Sequence, residues 1–336
     1  MGSVVTVMLI LLRSCDDSVG AAPRLRLRGR AVRRLEATWR SGGDRFSTCS
    51  PRLLQGSRRL IPQSGAMTIG TDTVSTHDWQ AAGQAWSHSA ADWACLYEHY
   101  AFEVMTAIFA RVGIRPGVSL LDMACGAGLA IRHATAMGAV CAGIDAAPAL
   151  VQIARDRNPD AEVRIGSMYE LPWPAARFDI VTSINGIWGG CESALVEAHR
   201  VLRPGGMIGI SFWGSGPQHD LRGTFKAFAR HAPEEHFRGM KRTNDIATAG
   251  VAERMLTDAG FVVVERGSRV STIEWPDADI AWRALSSAGP SVPALRHSDP
   301  RVVRAAVLDA IEHCRDRNGG YRFRGDHQFV IARKPA

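Results

Sequence analysis

Apolar and polar residues alternate in blocks between residues 118 and 213, and these blocks predict strands that are followed by helices. Two short apolar runs, 118–123 and 140–144, have the length of buried strands. Between them, residues 129–137 have the spacing of a helix. Because strand and helix alternate along the chain, the pattern predicts a doubly wound, mostly parallel α/β sheet.

The same alternation continues towards the end of the chain. Further strands are predicted at 161–165, 178–181, 207–213, 261–272, 321–324 and 327–332. A helix is predicted over 246–259, with Asn244 as its cap and Gly260 as its stop, and another begins at Asp299-Pro300. We expect a seven-stranded sheet with a reversed last strand and helices on both faces.

A segment rich in aromatic residues, 79–112, precedes the first strand and is helical in pattern. Its apolar positions fall on one helical face: Tyr97, Tyr100, Val104, Ile108 and Val112. Such a face is typical of burial in a core.

The turn after the first predicted strand carries the candidate chemistry. It reads Asp122-Met-Ala-Cys-Gly-Ala-Gly128, and Asp145 ends the second strand. Glycines let a backbone approach a ligand closely, and an acid after the second strand accepts hydrogen bonds from ribose hydroxyls. A dinucleotide fingerprint requires a small residue where this chain has Ile131, and no phosphate-loop lysine follows. An acid before the turn suits a nucleotide that carries a cation instead of a pyrophosphate.

This pattern and three later segments resemble the class I S-adenosylmethionine-dependent methyltransferases. The later segments are 166–173, 178–181 and 197–206, and they occur in the order of that family. The resemblance is greatest to small-molecule enzymes of the ubiquinone/menaquinone-biosynthesis type. It implies a Rossmann-like methyltransferase fold, S-adenosyl-L-methionine as cofactor, and a small-molecule methyl acceptor.

The resemblance also implies roles for single residues. Asp122 would support the loop and the methionine ammonium; the alternative is an acid that caps the turn amides. The backbone at Ala124, Gly126 and Gly128 would contact the cofactor, and Asp145 would accept from the ribose. The remaining implied contacts are Ala146 and Met168 on the adenine, Ser167 on its amino group, where the family often has Asp, and Asn185 beside the methionine moiety.

A methyl acceptor with a hydroxyl or amine needs a base of near-neutral pKa, and histidine is the usual choice. The candidates are His219, His99 and Tyr97. A carbon acceptor would leave no such signature. In the resemblance, residues 76–113, 214–245 and 275–320 form lids, and Trp86, Tyr97 or Tyr100 could line the acceptor pocket as well as the core. Because the lids are aromatic and apolar, we expect a planar or lipophilic acceptor.

Charge divides the chain into two parts. The net charge is +7, but residues 1–66 hold 12 arginines and 4 acids, whereas the rest holds 28 basic and 29 acidic side chains. We interpret 1–66 as a disordered extension, with Met67 as the natural start of a methyltransferase domain over 67–336. The alternative is a flexible basic arm that touches a membrane or nucleic acid.

The near-neutral domain indicates no nucleic-acid partner. The seven cysteines form no C-x-x-C pair, so we expect neither a zinc site nor a redox pair. We expect instead a cytoplasmic enzyme whose thiols are reduced. No apolar run is long enough to span a membrane. Whether the protein is a monomer or a homodimer stays open. So does the alternative of a non-catalytic S-adenosylmethionine-binding or partner protein with the same fold.

Overall fold

The structure is a computed structural model that describes residues 79–214, 219–234 and 245–336. The extension predicted over 1–66 lies outside the described residues, and so does Asn244, the predicted helix cap.

A seven-stranded sheet organises the described residues. Its strands are β1 (Ser119–Met123), β2 (Val140–Asp145), β3 (Glu162–Ile165), β4 (Phe178–Ile184), β5 (Leu202–Trp213), β6 (Val262–Trp275) and β7 (Tyr321–Arg333). Their spatial order is β3-β2-β1-β4-β5-β7-β6. The first five strands are parallel, and β7 runs antiparallel to both β5 and β6. The predicted doubly wound, mostly parallel sheet with a reversed last strand is confirmed.

Helices lie between the strands and before the first of them. They are α1 (Trp79–Ser87), α2 (Phe102–Val112), α3 (Leu129–Ala136), α4 (Pro148–Arg157), α5 (Glu192–Val201), α6 (Arg222–Arg230), α7 (Val251–Asp258), α8 (Ala278–Ser286), α9 (Val292–His297) and α10 (Pro300–Ala310). Between α1 and α2 the chain forms a short helix (Ala90–Asp92), a π-helix (Trp93–Tyr97) and a 3₁₀ turn (Glu98–Ala101).

The predicted apolar face of the segment before β1 is confirmed as part of the core. Val104, Ile108 and Val112 are buried on α2. A Cβ built at Gly209 of β5 would overlap Ile108, so the glycine allows α2 to lie against the sheet. Burial of this stripe holds α2 on one face of the sheet.

The ends of the chain's later elements differ from the sequence prediction. The two predicted final strands are one strand, because β6 pairs with β7 along its whole length, including the pair Ser271 and Gly325. The predicted gap falls at Gly325 and Asp326, which pair with Ser271 and Val270 of β6. The helix predicted over 246–259 is a 3₁₀ turn (Asp245–Ala247) followed by α7, and Gly260 ends it with φ of 92°. The helix predicted to begin at Asp299-Pro300 is α10, and Asp299 caps it by accepting from the Arg301 amide at 2.8 Å.

Within the described ranges, the protein has no helix with the length and apolar character that a membrane crossing requires.

Candidate active site

The loop between β1 and α3 has a left-handed backbone at three of its five residues. The φ angles are 55° at Ala124, 54° at Gly126 and 81° at Gly128. Glycine adopts this region freely, but alanine does so at a cost of roughly 1–2 kcal/mol. Strain of this kind persists where the surroundings enforce it, and it clusters at ligand sites.

The two glycines of this loop do different things. A Cβ at Gly128 would lie 2.5 Å from Asn158 Nδ2 and 3.0 Å from Ala154 Cβ, so Gly128 allows the loop to pack on α4. At Gly126 the nearest atom to such a Cβ is Trp93 Nε1, at 3.9 Å. Gly126 therefore faces a more open side, where a ligand could approach the backbone.

Asp145 joins the end of β2 to this loop. Its Oδ2 accepts from the Gly126 amide and its Oδ1 from the Ala147 amide, both at 2.8 Å. Burial raises the pKa of Asp145, and the backbone hydrogen bonds counteract this. A carboxylate has about four lone-pair sites, so the backbone hydrogen bonds leave room for a further donor. The carboxylate can thus hold the loop and still accept from ribose hydroxyls.

Asp122 lies deeper, on β1, and is 2 % exposed. Its Oδ1 accepts from the Thr182 hydroxyl of β4 at 2.7 Å. Burial raises its pKa to about 7; the Thr182 hydrogen bond counteracts this and the charge of Asp145 adds to it. The sequence left amide capping open as an alternative role for Asp122, but the Gly126 amide is bound by Asp145 instead.

The residues predicted around the adenine lie near Asp145. The Gly166 amide donates to the Asp145 carbonyl at 3.0 Å, which brings the turn after β3 beside the end of β2. Ser167 Oγ accepts from the Tyr169 amide at 3.1 Å, and Met168 packs partly buried against the core. The sequence order and the parallel register are sufficient to bring this set to the carboxyl edge of the sheet.

Asn185 follows β4, with φ of 55°. Its amide donates to Ser211 Oγ at 3.0 Å, and Ser211 Oγ in turn donates to Asn185 Oδ1 at 3.1 Å. Its Nδ2 donates to the Tyr100 hydroxyl at 3.0 Å. A Cβ at the next residue, Gly186, would lie 2.5 Å from Ala124 Cβ, so this end of β4 abuts the glycine loop.

On the other side of Asn185 lies a cluster of aromatic rings. Tyr100 stacks on Trp213, with ring centroids 4.7 Å apart and planes 2° apart. His219 and His327 lie 4.5 Å and 4.3 Å from Trp213 by the same measure. Tyr97 extends the set, with its centroid 5.1 Å from that of Tyr100. Tyr97, Tyr100, His219 and His327 are buried, so the rings pack into one largely apolar cluster beside Asn185.

The three predicted base candidates have different surroundings. His219 is 5 % exposed, and its Nδ1 has no hydrogen-bond partner among the described residues. Burial lowers its pKa to about 4, with Arg222 lowering it further and Asp220 raising it, so the pKa lies below the near-neutral value that suits a general base. Burial raises the pKa of Tyr97 well above its usual value, which keeps the phenol protonated. His99 is exposed to solvent, unlike the other two.

His327 belongs to this cluster, and the sequence did not indicate it. It is fully buried, and Asn185 Nδ2 lies 3.4 Å from its Nδ1. Burial lowers its pKa to about 3, and His219 adds to the effect. His327 shares a strand face with Phe323 and Phe329, so a signal existed: a polar side chain at an apolar position of an alternating strand. Splitting β7 in two hid that alternation.

The helical segment before β1 covers the glycine loop. A Cβ at Gly83 of α1 would overlap the carbonyl oxygen of Ala146. Ala90 and Ala94 pack against Ala127 and Ala147 of the loop region. The stretch from α1 to Ala94 therefore packs on the glycine loop and the turn after β2.

An ion pair fastens this cover. Glu98, which is buried, pairs with Arg157 at the end of α4. Arg157 also donates to the Ala94 carbonyl at 2.9 Å and to the Ala127 carbonyl at 3.3 Å. The cover, α4 and the loop thus share one arginine.

A group of potential metal ligands lies elsewhere in the described ranges. The ligand atoms of Asp220, His313 and Cys314 are all within 4.8 Å of one another. Asp220 Oδ2 also accepts from the Arg324 amide at 2.7 Å. Because Asp220 is distant in sequence from the adjacent His313 and Cys314, no spacing motif indicates the group.

The chain is similar to known methyltransferases in this region. Residues 121–210 match the family model described as a methyltransferase domain. Malonyl-[acyl-carrier protein] O-methyltransferase of Serratia marcescens is 28% identical over 233 residues, which are 66% of this chain and 82% of that protein.

The protein is a class I S-adenosylmethionine-dependent methyltransferase.

This methyltransferase has two further similarities, one that covers less of the related protein and one with lower sequence identity. A 37.1 kDa protein in transposon TN4556 of Streptomyces fradiae is 32% identical over 213 residues, covering 59% of this chain and about half, 56%, of that protein. The crystal structure of the YcgJ protein from Bacillus subtilis has a TM-score of 0.47 and 16% identity, over 71% of this chain and 99% of that one. The matched family segment, 121–210, contains the glycine loop, Asp145 and Asn185.

Proposed function

We propose that this methyltransferase transfers a methyl group from S-adenosylmethionine to a small acceptor with a planar or lipophilic body. The observation that carries the proposal is the bond between Asp145 and the Gly126 amide, which joins the left-handed loop to a buried carboxylate at the carboxyl edge of the sheet. Ligands of doubly wound sheets bind at that edge.

The cofactor contacts that we propose follow the geometry of the loop. Asp145 would accept from the ribose hydroxyls through its free lone pairs, with Ala146, Ser167 and Met168 around the adenine. Ala124, Gly126 and Gly128 would bring the backbone close to the cofactor. Asp122 would act from beneath the loop, and Asn185 would border the methionine moiety.

The acceptor would lie on the aromatic side of Asn185. Methyl transfer from a sulfonium has an excellent leaving group, so the enzyme contributes mainly alignment and exclusion of water. Rings such as Trp213 and Tyr100, stacked at 4.7 Å, offer an apolar surface for that purpose. Among acceptors to be tried we include a malonyl thioester, since the Serratia relative is named for one.

The cofactor pocket is tested by replacing Gly126 with valine. The left-handed φ of 54° and the loss of backbone approach should weaken S-adenosylmethionine binding at least 100-fold, or roughly 3 kcal/mol. Gly117→Val is the matched control, since Gly117 also has a left-handed φ, 83°, with no atom within 4 Å of its Cβ position. Titration calorimetry measures both variants; equal affinities would refute the pocket.

A turnover assay distinguishes the enzyme from the alternative, a non-catalytic binding protein. The enzyme should move a labelled methyl group from S-adenosylmethionine to an acceptor in a metabolite extract, whereas a binding protein would only retain the cofactor. Binding of NAD with no response to S-adenosylmethionine would contradict both.

A further inference from the structure

The orientation of the Asn185 side chain indicates which nitrogen of His327 carries the proton. Ser211 Oγ accepts from the Asn185 backbone amide at 3.0 Å and donates to Asn185 Oδ1 at 3.1 Å. The side-chain amide has its Nδ2 towards His327 Nδ1, 3.4 Å away. In this orientation Nδ2 donates and Nδ1 accepts, which assigns the proton of the neutral ring to Nε2.

This Nε2–H group is a buried donor without a partner. His327 is fully buried, and Nε2 has no hydrogen-bond partner among the described residues. A buried polar group left unpaired costs about 1–3 kcal/mol, so such groups call for an explanation. A ligand oxygen that accepts this hydrogen bond is one.

The residue that lies beside Nε2 on the same strand face is a glycine, Gly325. A Cβ at Gly325 would lie 3.3 Å from His327 Nε2 and 3.0 Å from the Trp213 ring. Gly325 has no left-handed φ, so its conformation does not require glycine there. Glycine is required there because the backbone approaches His327 and Trp213 closely.

The Nε2–H group of His327 lies on the side of Asn185 where the methyl acceptor would bind. Asn185 contacts His327, while its neighbour Gly186 abuts Ala124 of the glycine loop. Two consecutive residues after β4 thus connect the loop that would hold the methyl donor with the buried imidazole.

We infer that His327 Nε2–H binds a carboxylate oxygen of the methyl acceptor, so that the product is a methyl ester. The inference rests on the proposed function and names the substrate class of the same site. A carboxylate oxygen would form the bond to the methyl carbon as the bond from that carbon to sulfur breaks, with its electron pair remaining on sulfur. The products are the ester and the neutral thioether, and no proton is released.

The protonation state of the cluster agrees with an acceptor that has no proton to lose. Burial lowers the pKa of His219 to about 4 and that of His327 to about 3. Hydroxyl and amine acceptors must transfer a proton to a base, and these imidazoles hold protons weakly. A carboxylate is already an anion at neutral pH.

The chemical class of the product is the first test. The protein is incubated with methyl-labelled S-adenosylmethionine and a protein-free metabolite extract, and the product is treated with alkali. Methyl esters release volatile labelled methanol, whereas methyl ethers, amines and carbon-methylated products do not. Release of most of the label supports the inference, and a base-stable product overturns it while the proposed function stands. A protein that binds S-adenosylmethionine but labels nothing in the extract refutes both.

The role of the donor is tested on the alkali-labile product with two replacements. His327→Leu removes the N–H group and should lower kcat/KM for the acceptor roughly 10- to 100-fold, because a hydrogen bond to a charged group is lost. His327→Gln places an amide N–H near the position of Nε2 and should recover most of that loss. Equal losses in the two variants would indicate a packing role and overturn the inference.

Matched controls separate folding from binding. His297→Leu makes the same change at an exposed histidine on α9 and should leave kcat/KM unchanged. The affinity for S-adenosylmethionine, measured by calorimetry, should be equal in all three variants. If His327→Leu does not fold, Gly325→Ala tests the same hydrogen bond by steric hindrance. Its methyl group would crowd Nε2, so the KM for the acceptor should rise. An unchanged KM in Gly325→Ala would overturn the inference.

Discussion

Two aspartates at the ends of neighbouring strands illustrate how surroundings decide what a residue does. Asp145 has both carboxylate oxygens on backbone amides, while Asp122 is paired through one oxygen with the Thr182 hydroxyl. The sequence predicts both as cofactor residues, and their different partners appear only in the fold. Asp122, the more deeply placed of the two, has a pKa raised to about 7.

Stability should depend on pH through Asp122. A raised pKa means that the folded state holds the proton more tightly, so this contribution to stability is complete below about pH 4 and is lost as pH rises through about 7. Asp122→Asn stays neutral and should gain stability relative to the wild type over that range, by a few kcal/mol at most. Urea unfolding at several pH values measures the difference, and parallel profiles would contradict the prediction.

Asp179→Asn serves as the control of opposite sign. Burial raises the pKa of Asp179, but hydrogen bonds from Ser119 and Arg203 outweigh it and lower the pKa overall. Its contribution is therefore present above pH 4 and lost as pH falls, so this variant should show no relative gain between pH 4 and 7.

At the scale of elements, the helices before β1 decide how the loop is covered. The sequence predicts a helical segment with one apolar face, and α2 fulfils that prediction in the core. The earlier part of the segment packs through Ala90 and Ala94 on the glycine loop and α4, and Glu98 pairs with Arg157 at the end of α4. Periodicity gives a helix its apolar face but does not say which surface that face meets.

The fit of α1 can be tested at Gly83. A valine there would meet the Ala146 carbonyl, and overpacking of this kind costs roughly 1–3 kcal/mol. We expect faster hydrogen exchange over Trp79–Ser87 and a lower free energy of unfolding. Ala82→Val, at an exposed position of the same helix, should change neither by a comparable amount. Equal exchange in the two variants would show that α1 does not depend on this contact.

At the scale of the whole molecule, the last strand joins distant parts of the chain. β7 lies between β5 and β6 and pairs with both. Its Phe329 is fully buried beneath the guanidinium of Arg111 on α2, which is 5.0 Å from the ring. The final segment therefore supports the sheet and also supplies His327 to the aromatic cluster.

Replacing Phe329 with alanine should remove about 3–5 kcal/mol from the free energy of unfolding. The same replacement at Phe102, which is 41% exposed, should cost far less. Denaturant unfolding of both variants measures the contrast. Similar losses would mean that β7 is not part of the cooperative core.

The sequence by itself determined the sheet, the glycine loop and the two acids at its edge, because these follow from short-range patterns: apolar run, turn, helix and strand end. The strand ends of a parallel sheet meet at one edge, so the order along the chain was enough. The part that His327 plays was decided only by the tertiary structure. Its partners are Asn185, which follows β4, and Trp213, which ends β5, and no local pattern encodes which residues the strands bring together.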